Sequence, residues 1–176
     1  HKYNATNFLH VDDAYGSGAG YDEAVRDEDL LDPSTWTWTP SDRIFLDLVK
    51  ELHARGMKVI LDGVFNHVGS SHEAFRDVKD RGAESPFADW FDVRSWEPFE
   101  YRGWAGFHEL PVFKKKPDGF ASDAVKEHVF AVTRRWMDPD GDGDPSDGID
   151  GWRLDVPNEV AMPFWREWRD LVKSIN

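Results

Sequence analysis

Leu52–His67, LHARGMKVILDGVFNH, is the stretch whose reading decides the fold. It opens on the tail of an amphipathic run that begins at Thr39, TPSDRIFLDLVKELHARG. There Ile44, Phe45, Leu48, Val49 and Leu52 recur at helical spacing behind Pro40, a residue suited to a first helical position. Gly56 ends the run as a glycine C-cap does. Immediately afterwards Met57–Phe65, MKVILDGVF, is short, rich in β-branched residues and nearly continuous in apolar character, which predicts a strand covered on both faces. A helix feeding a buried strand is an α/β signature.

The pattern returns towards the C-terminus. SDAVKEHVFAVTRRWM, from Ser122, places Val125, Val129, Val132 and Trp136 on one helical face behind a serine cap. The loop DPDGDGDPSDG then leads into Ile149–Val156, IDGWRLDV, a second candidate strand, and a helix carrying Phe164, Trp165, Trp168, Leu171, Val172 and Ile175 follows it. Two helix-then-strand passages imply parallel pairing, because parallel strands need crossover connections. Between the passages, from about Val68 to Phe120, turn residues and aromatics alternate without a sustained period, so this stretch reads as an irregular inserted subdomain. The expected organisation is therefore a first barrel or sheet segment at 1–67, an insertion at 68–121 and a continuation at 122–176. An eight-stranded α/β barrel occupies about 250 residues, so 176 residues with such an insertion form either an open sheet or part of a barrel.

Composition narrows the partners. The chain carries 34 acidic against 21 basic side chains, a formal charge of -13, which repels polyphosphate and argues against nucleic acid or an anionic membrane surface. The absence of cysteine excludes a disulfide framework, a thiolate metal site and a cysteine nucleophile, while leaving the redox compartment open. The N-terminal HKYNATNF lacks the basic and apolar regions of a signal peptide and reads as the start of an excised piece or mature chain.

Polar residues concentrate at the two strand ends. In DGVFNH, Asp62, Asn66 and His67 follow the apolar VIL run; in GWRLDVPNE, Arg153 and Asp155 stand two residues apart and on strict strand alternation share a face. Catalytic groups of parallel α/β proteins gather at the carboxyl ends of strands. A guanidinium beside a carboxylate favours its ionised form, which suits a nucleophile and not a general acid. Retaining glycoside hydrolysis needs one carboxyl of each kind, and Asp155 fits the ionised role. Arg153 and Asp155 read equally as a structural ion pair, a lone His67 as a hydrogen-bonded structural histidine, and Asp62 as a residue holding arginine or backbone groups.

DGVFNH and GWRLDVPNE resemble two signature strand-end motifs of the α-amylase family of glycoside hydrolases. HKYNATNFLHVDDAYG resembles the segment after that family's second barrel strand, and LHARGMKVILDGVFNH its second helix and third strand. The HKY opening and the pair Asn158-Glu159 match the neopullulanase and cyclomaltodextrinase branch. The resemblance implies part of a (β/α)8 TIM barrel, about strands 2–4 with their helices, with the 68–121 subdomain inserted after strand 3. It implies a retaining enzyme that cleaves α-1,4 or α-1,6 bonds of α-glucans, with Asp155 as nucleophile and Arg153 orienting it. His67 would bond sugar hydroxyls, Tyr3 would offer a stacking face, and Asp62, Asn66 and Glu159 would complete the substrate site. ELPVF, Glu109 to Phe113, departs at Val112 and Phe113 from a short motif that many members carry there. The family's acid/base glutamate follows its fifth strand, whereas this chain ends in the helix after the fourth, so the expectation is a catalytic fragment without its proton donor. Glu159 and Glu109 are the internal carboxyls nearest to a substitute. The alternatives are a non-catalytic carbohydrate- or calcium-binding module and a transglycosylase of the same family. Open barrel edges imply self-association.

No cofactor is needed for this chemistry, but DPDGDGDPSDGID resembles the start of a calcium loop, with Asp138, Asp140, Asp142 and Asp147 as oxygen ligands. The glutamate that closes such a loop is missing, and a solvated acidic turn is the competing reading. Trp136, Trp165 and Trp168 fall on helix apolar faces and read as core, whereas Trp90, Trp96 and Trp104 lie in the insertion, where sugar stacking is open to them. Lys114, Lys115 and Lys116 read as a solvated loop.

Overall fold

A computed structural model describes residues 3–16 and 20–176; His1 and Lys2 of the HKY opening lie outside the described residues. In chain order the elements are α1 (Tyr21–Ala24), α2 (Pro40–Ala54), β1 (Ile60–Gly63), α3 (Glu73–Arg81), β2 (Val93–Trp96), β3 (Phe99–Tyr101), β4 (Lys115–Lys116), β5 (Gly119–Phe120), α4 (Asp123–Met137), β6 (Gly151–Leu154) and α5 (Met162–Ile175). Strand β1 pairs with β6, and β2–β3 and β4–β5 are antiparallel hairpins. Both helix-then-strand passages form as expected. The bonds flanking the β1–β6 pair run from Asp150 N–H to Val59 C=O at 2.8 Å and from Asp155 N–H to Gly63 C=O at 3.1 Å. Donor and acceptor numbers rise together, the pattern of a parallel pair.

Helix α2 starts at Thr39 because a capping box satisfies its first donors: the Asp42 N–H donates to Thr39 Oγ1 at 3.2 Å and the Thr39 N–H donates to Asp42 Oδ2 at 2.9 Å. Of its apolar stripe only Val49 is buried, and Ile44 and Leu48 are exposed. Strand β1 differs from its expected double cover, since Ile60 is 64% exposed. The continuous apolar run reports a strand able to lie between two layers; within the described residues β1 has a single strand neighbour.

The insertion is more regular than its sequence suggests. It holds α3 and two hairpins, with His72 as the α3 N-cap and Ala74, Phe75 and Val78 buried. Three apolar positions among the charges of EAFRDVKDR make too short a stripe to register as a period. Trp90, placed by its sequence context where exposure was expected, is fully buried. It packs edge-on against Phe87 and Phe113, with ring centroids 5.0 and 6.1 Å away.

Contacts divide the chain into two compact units whose limits differ from the boundaries read in the sequence. The first comprises residues 1–8, 62–129 and 154–169, so the insertion is gathered with the strand ends and the start of α5. Its core is aromatic. Phe75 meets Phe91 at 4.9 Å and Tyr101 at 4.7 Å, and Phe120 meets Phe164 at 4.7 Å, edge-on geometries favoured by ring quadrupoles. Gly69 is required here, because a side chain would drive its Cβ to 2.6 Å from the Asn4 carbonyl oxygen. Buried His72 has its pKa lowered to about 3, by burial first and then by the charge of His128. A depressed histidine contributes stability that is complete above 6.5 and is lost as pH falls from there towards 3.

The second unit comprises residues 9–61, 130–153 and 170–176. Leu9, Leu30, Val49, Val132, Trp136, Met137 and Ile149 are buried in it, and Trp38 and Phe45 both meet Trp136 edge-on, at 5.5 and 5.6 Å. Asp150 ties three segments of this unit together. Its carboxylate accepts from Lys58 Nζ at 2.6 Å, the Val59 N–H at 2.8 Å and His53 Nε2 at 2.8 Å. Burial would raise the Asp150 pKa, but these bonds outweigh it and bring the value to about 2. Among the described residues no helix is long and apolar enough to cross a membrane.

Replacing Asp150 with alanine strands the Val59 donor and removes a partner from the Lys58 and His53 side chains, His53 keeping its 3.0 Å contact from Nδ1 to the Ser146 carbonyl. The expected cost is about 1–3 kcal/mol, read as a lower urea midpoint with unchanged slope.

Candidate functional site

The first unit brings together most of the strand-end residues. His67 follows β1, is fully buried, and pairs in an isolated antiparallel bridge with Val112 of the ELPVF segment. Its Nε2 lies 3.1 Å from the Tyr3 carbonyl oxygen, and its Nδ1 lies 3.1 Å from Asn66 Nδ2. A carbonyl can only accept, so Nε2 carries the proton and Nδ1 accepts from the Asn66 amide. Trp104 closes the ring's face, with centroids 5.3 Å apart and planes 14° from parallel. Burial is the largest influence on the His67 pKa and lowers it; the Lys115 charge lowers it further, while the Tyr3 bond and the Asp155 charge oppose both. The result is a neutral imidazole with both nitrogens engaged by the chain.

Asp155 stands one residue beyond β6, half-buried, with its N–H anchored on Gly63. Between the two flanking bonds β1 advances four residues, from Val59 to Gly63, whereas β6 advances five, from Asp150 to Asp155. The β6 side therefore holds one residue more than regular parallel pairing requires, an irregularity that lies between Asp150 and Asp155. Val156 follows in the left-handed region, with φ of 40° and ψ of 50°. A β-branched residue there costs about 1–3 kcal/mol, strain of the kind held at functional sites. The Trp165 indole N–H donates to the Pro157 carbonyl at 2.8 Å and steadies the turn. Glu159 is half-buried in the same unit. Asp62, expected inside an apolar strand, is exposed, and so are Tyr3 and, within β6 in the second unit, Arg153.

Lys115 is the residue that sequence reasoning missed. Lys114 and Lys116 are exposed as expected, but Lys115 is half-buried, its Nζ donating to the Phe113 carbonyl at 3.3 Å. Burial first, then the Arg102 charge, lowers its pKa to about 8, against the opposing charges of Glu159 and Asp92. Within β4 the burial alternates, Lys115 half-buried and Lys116 exposed, a difference that the lysine triplet itself does not announce.

In the second unit, Asp138, Asp140 and Asp147 each offer a carboxylate oxygen within 4.8 Å of the others. Asp142 stands outside this trio, its Oδ1 accepting the Asp144 N–H at 2.7 Å in a local turn. Asp138 Oδ1 and Asp147 Oδ1 are buried without a hydrogen-bond partner. The Asp147 pKa is raised by burial first and then by the charges of Asp140, Asp138 and Asp142.

The sequence model described as alpha amylase, catalytic domain, matches residues 41–170. Neopullulanase 2 of Thermoactinomyces vulgaris is 38% identical over 180 residues, which cover all of this chain and 25% of that protein. Among solved structures, a debranching enzyme from Nostoc punctiforme superposes with a TM-score of 0.73 at 32% identity, covering all of this chain and 30% of that one. The maltose complex of a cyclic α-maltosyl-(1→6)-maltose hydrolase from Arthrobacter globiformis superposes with a TM-score of 0.71 at 31% identity, over 98% of this chain and 32% of that one. The chain thus spans about a quarter to a third of the length of these proteins.

The charges around His67 yield a paired expectation. Lys115→Gln should raise the imidazole pKa and Asp155→Asn should lower it, both read from the ring resonances in an NMR pH titration; shifts of the same sign would disprove the electrostatic arrangement.

Proposed function

Because this chain belongs to the α-amylase family and carries part of its barrel, we propose that the protein it represents is a retaining glycoside hydrolase acting on α-1,4- or α-1,6-linked glucans, with Asp155 as nucleophile. The observation that carries this reading is the place of Asp155: one residue past a parallel strand, on a strained turn, anchored to the end of β1 in the unit that also holds His67. The Asp155 carboxylate attacks the anomeric carbon as the glucosidic C–O bond breaks, and a carboxylic acid protonates the departing oxygen. Water then attacks the glycosyl ester, giving its proton back to that acid and releasing Asp155. The donor is assigned to the part of the protein that this chain does not span, since the chain covers 25% of Neopullulanase 2. His67, as a neutral Nε2–H imidazole, reaches a sugar hydroxyl only if the Tyr3 backbone withdraws; Tyr3 then supplies the stacking face. Asp62, Asn66 and Glu159 fit supporting polar contacts, and Arg153 the orientation of the nucleophile.

The test is reducing-sugar release from soluble starch, pullulan and a cyclomaltodextrin by this chain and by a longer one containing it, with Asp155→Asn as control. Exposed Ile44, Leu48, Met57 and Ile60 support self-association of the isolated chain, so sedimentation is run across the same concentrations. Turnover that vanishes in the variant supports the proposal. Binding of these glucans without turnover by the longer chain replaces it with a non-catalytic carbohydrate module, and sugar transfer exceeding hydrolysis replaces it with a transglycosylase.

We also infer that the aspartate loop holds a structural calcium ion through Asp138, Asp140 and Asp147, with no part in the chemistry. Hard oxygen donors suit calcium, and the unpartnered oxygens of Asp138 and Asp147 gain ligation by it. Calcium is expected to bind in calorimetry and to raise the melting temperature, an effect lost in Asp147→Asn and weakened at acid pH, where raised Asp147 takes a proton. A melting temperature indifferent to calcium at neutral pH refutes the site.

A further inference from the structure

One buried cluster of charged side chains among the described residues belongs to none of this machinery. It lies in the second unit and centres on His10, whose Nδ1 is 2.7 Å from Asp42 Oδ2 and whose Nε2 is 2.8 Å from Glu28 Oε2. All three side chains are almost completely enclosed, 1% exposed for His10, 0% for Asp42 and 5% for Glu28. Two carboxylate oxygens demand two donors. A neutral imidazole has one N–H, so both contacts are satisfied only by the imidazolium.

The groups around His10 differ in how firmly each is held. Asp42 belongs to the α2 capping box, also accepts the Val11 N–H at 2.7 Å, and lies 3.5 Å from the Arg135 guanidinium of α4. Arg135 in turn donates to the carbonyls of Leu9 and Thr37 and covers the Trp38 ring at 3.6 Å. Glu28 lies outside any helix or strand, and its second oxygen accepts the Thr37 N–H at 2.6 Å. The Tyr21 ring of α1 packs edge-on against His10 at 5.7 Å. When the imidazolium loses a proton, one carboxylate must face a bare ring nitrogen in an enclosed site. Asp42 retains three other partners, whereas Glu28 depends on His10 and Thr37, so Glu28 is the partner that moves.

We propose that His10 is the pin of a pH-sensitive latch: as an imidazolium it fastens the segment from α1 to Thr37, through Glu28, to the N-terminus of α2, and its deprotonation releases that segment. Burial lowers the His10 pKa, but the hydrogen bonds and charges of Asp42 and Glu28 outweigh it and the net shift is upwards from 6.5. The sign follows. A raised histidine contributes stability that is complete below 6.5 and is lost as pH rises through its folded value. The Asp42 pKa is lowered despite burial, by its bonds from His10, Val11 and Thr39, so the latch also opens at acid pH as Asp42 takes a proton.

The experiment is amide hydrogen exchange of the chain from pH 5.5 to 9.5, corrected for intrinsic rates, with an NMR titration of His10. Protection of the Thr37 amide is expected to be flat up to the folded His10 pKa and then to fall about tenfold per pH unit, the slope of one linked proton, while the Thr39 amide, held by Asp42, stays protected. Glu28→Gln should lower the His10 pKa and abolish the alkaline fall at Thr37; His10→Gln should leave Thr37 weakly protected at every pH. A Thr37 profile flat to pH 9.5, equal falls at Thr37 and Thr39, or a His10 that titrates at or below 6.5 overturns the proposal.

Discussion

The carboxylate of Asp150 fixes the register on which the strand-end residues depend. It stands at the foot of β6 and accepts from Val59 at the foot of β1, while His53 from the end of α2 and Lys58 close around it. A one-residue slip in a strand pair turns every side chain to the opposite face. Ile60 is exposed, so it adds little apolar burial to the specification of register. A charged, multiply bonded clamp at the start of the pair adds to it.

From that origin the pair runs regularly only so far. One extra residue on the β6 side before Asp155 and the left-handed Val156 after it take Asp155 out of regular strand geometry. The surrounding unit offsets this strain with an aromatic core, in which the insertion contributes Phe75, Trp90, Phe91 and Phe113. The insertion is therefore part of the packing that holds His67 and its neighbours, not an appendage to it.

Charge is handled in opposite ways by the two units. One buries His72 neutral, so protonation is what it resists, and the other buries His10 as a cation between carboxylates, so deprotonation is what it resists. His72 therefore costs stability as pH falls and His10 as pH rises, while the depressed carboxyls of Asp42 and Asp150 add an acid limit in the second unit as well. The same principle governs the site, where His67 is kept neutral by burial and by Lys115 against the pull of Asp155.

Much of the organisation was legible in the residues. The helix from Pro40, the helix from Asp123 and the parallel strand ends with Asp62, His67 and Asp155 follow from periodicity and caps, because those signals are local and repeat along the chain. Helix α3 was illegible because its apolar stripe has three members. Lys115 was illegible because a lysine triplet reads as solvent-facing until its strand is known. The extra residue on the β6 side between Asp150 and Asp155 was illegible because an irregularity of one residue leaves no mark in composition. The sequence by itself determined the two helix-then-strand passages and the polar residues at their strand ends. Only the tertiary structure decided which charges are buried, which ring nitrogens are already taken and where the strand pairing is irregular, since these depend on neighbours brought together from distant parts of the chain.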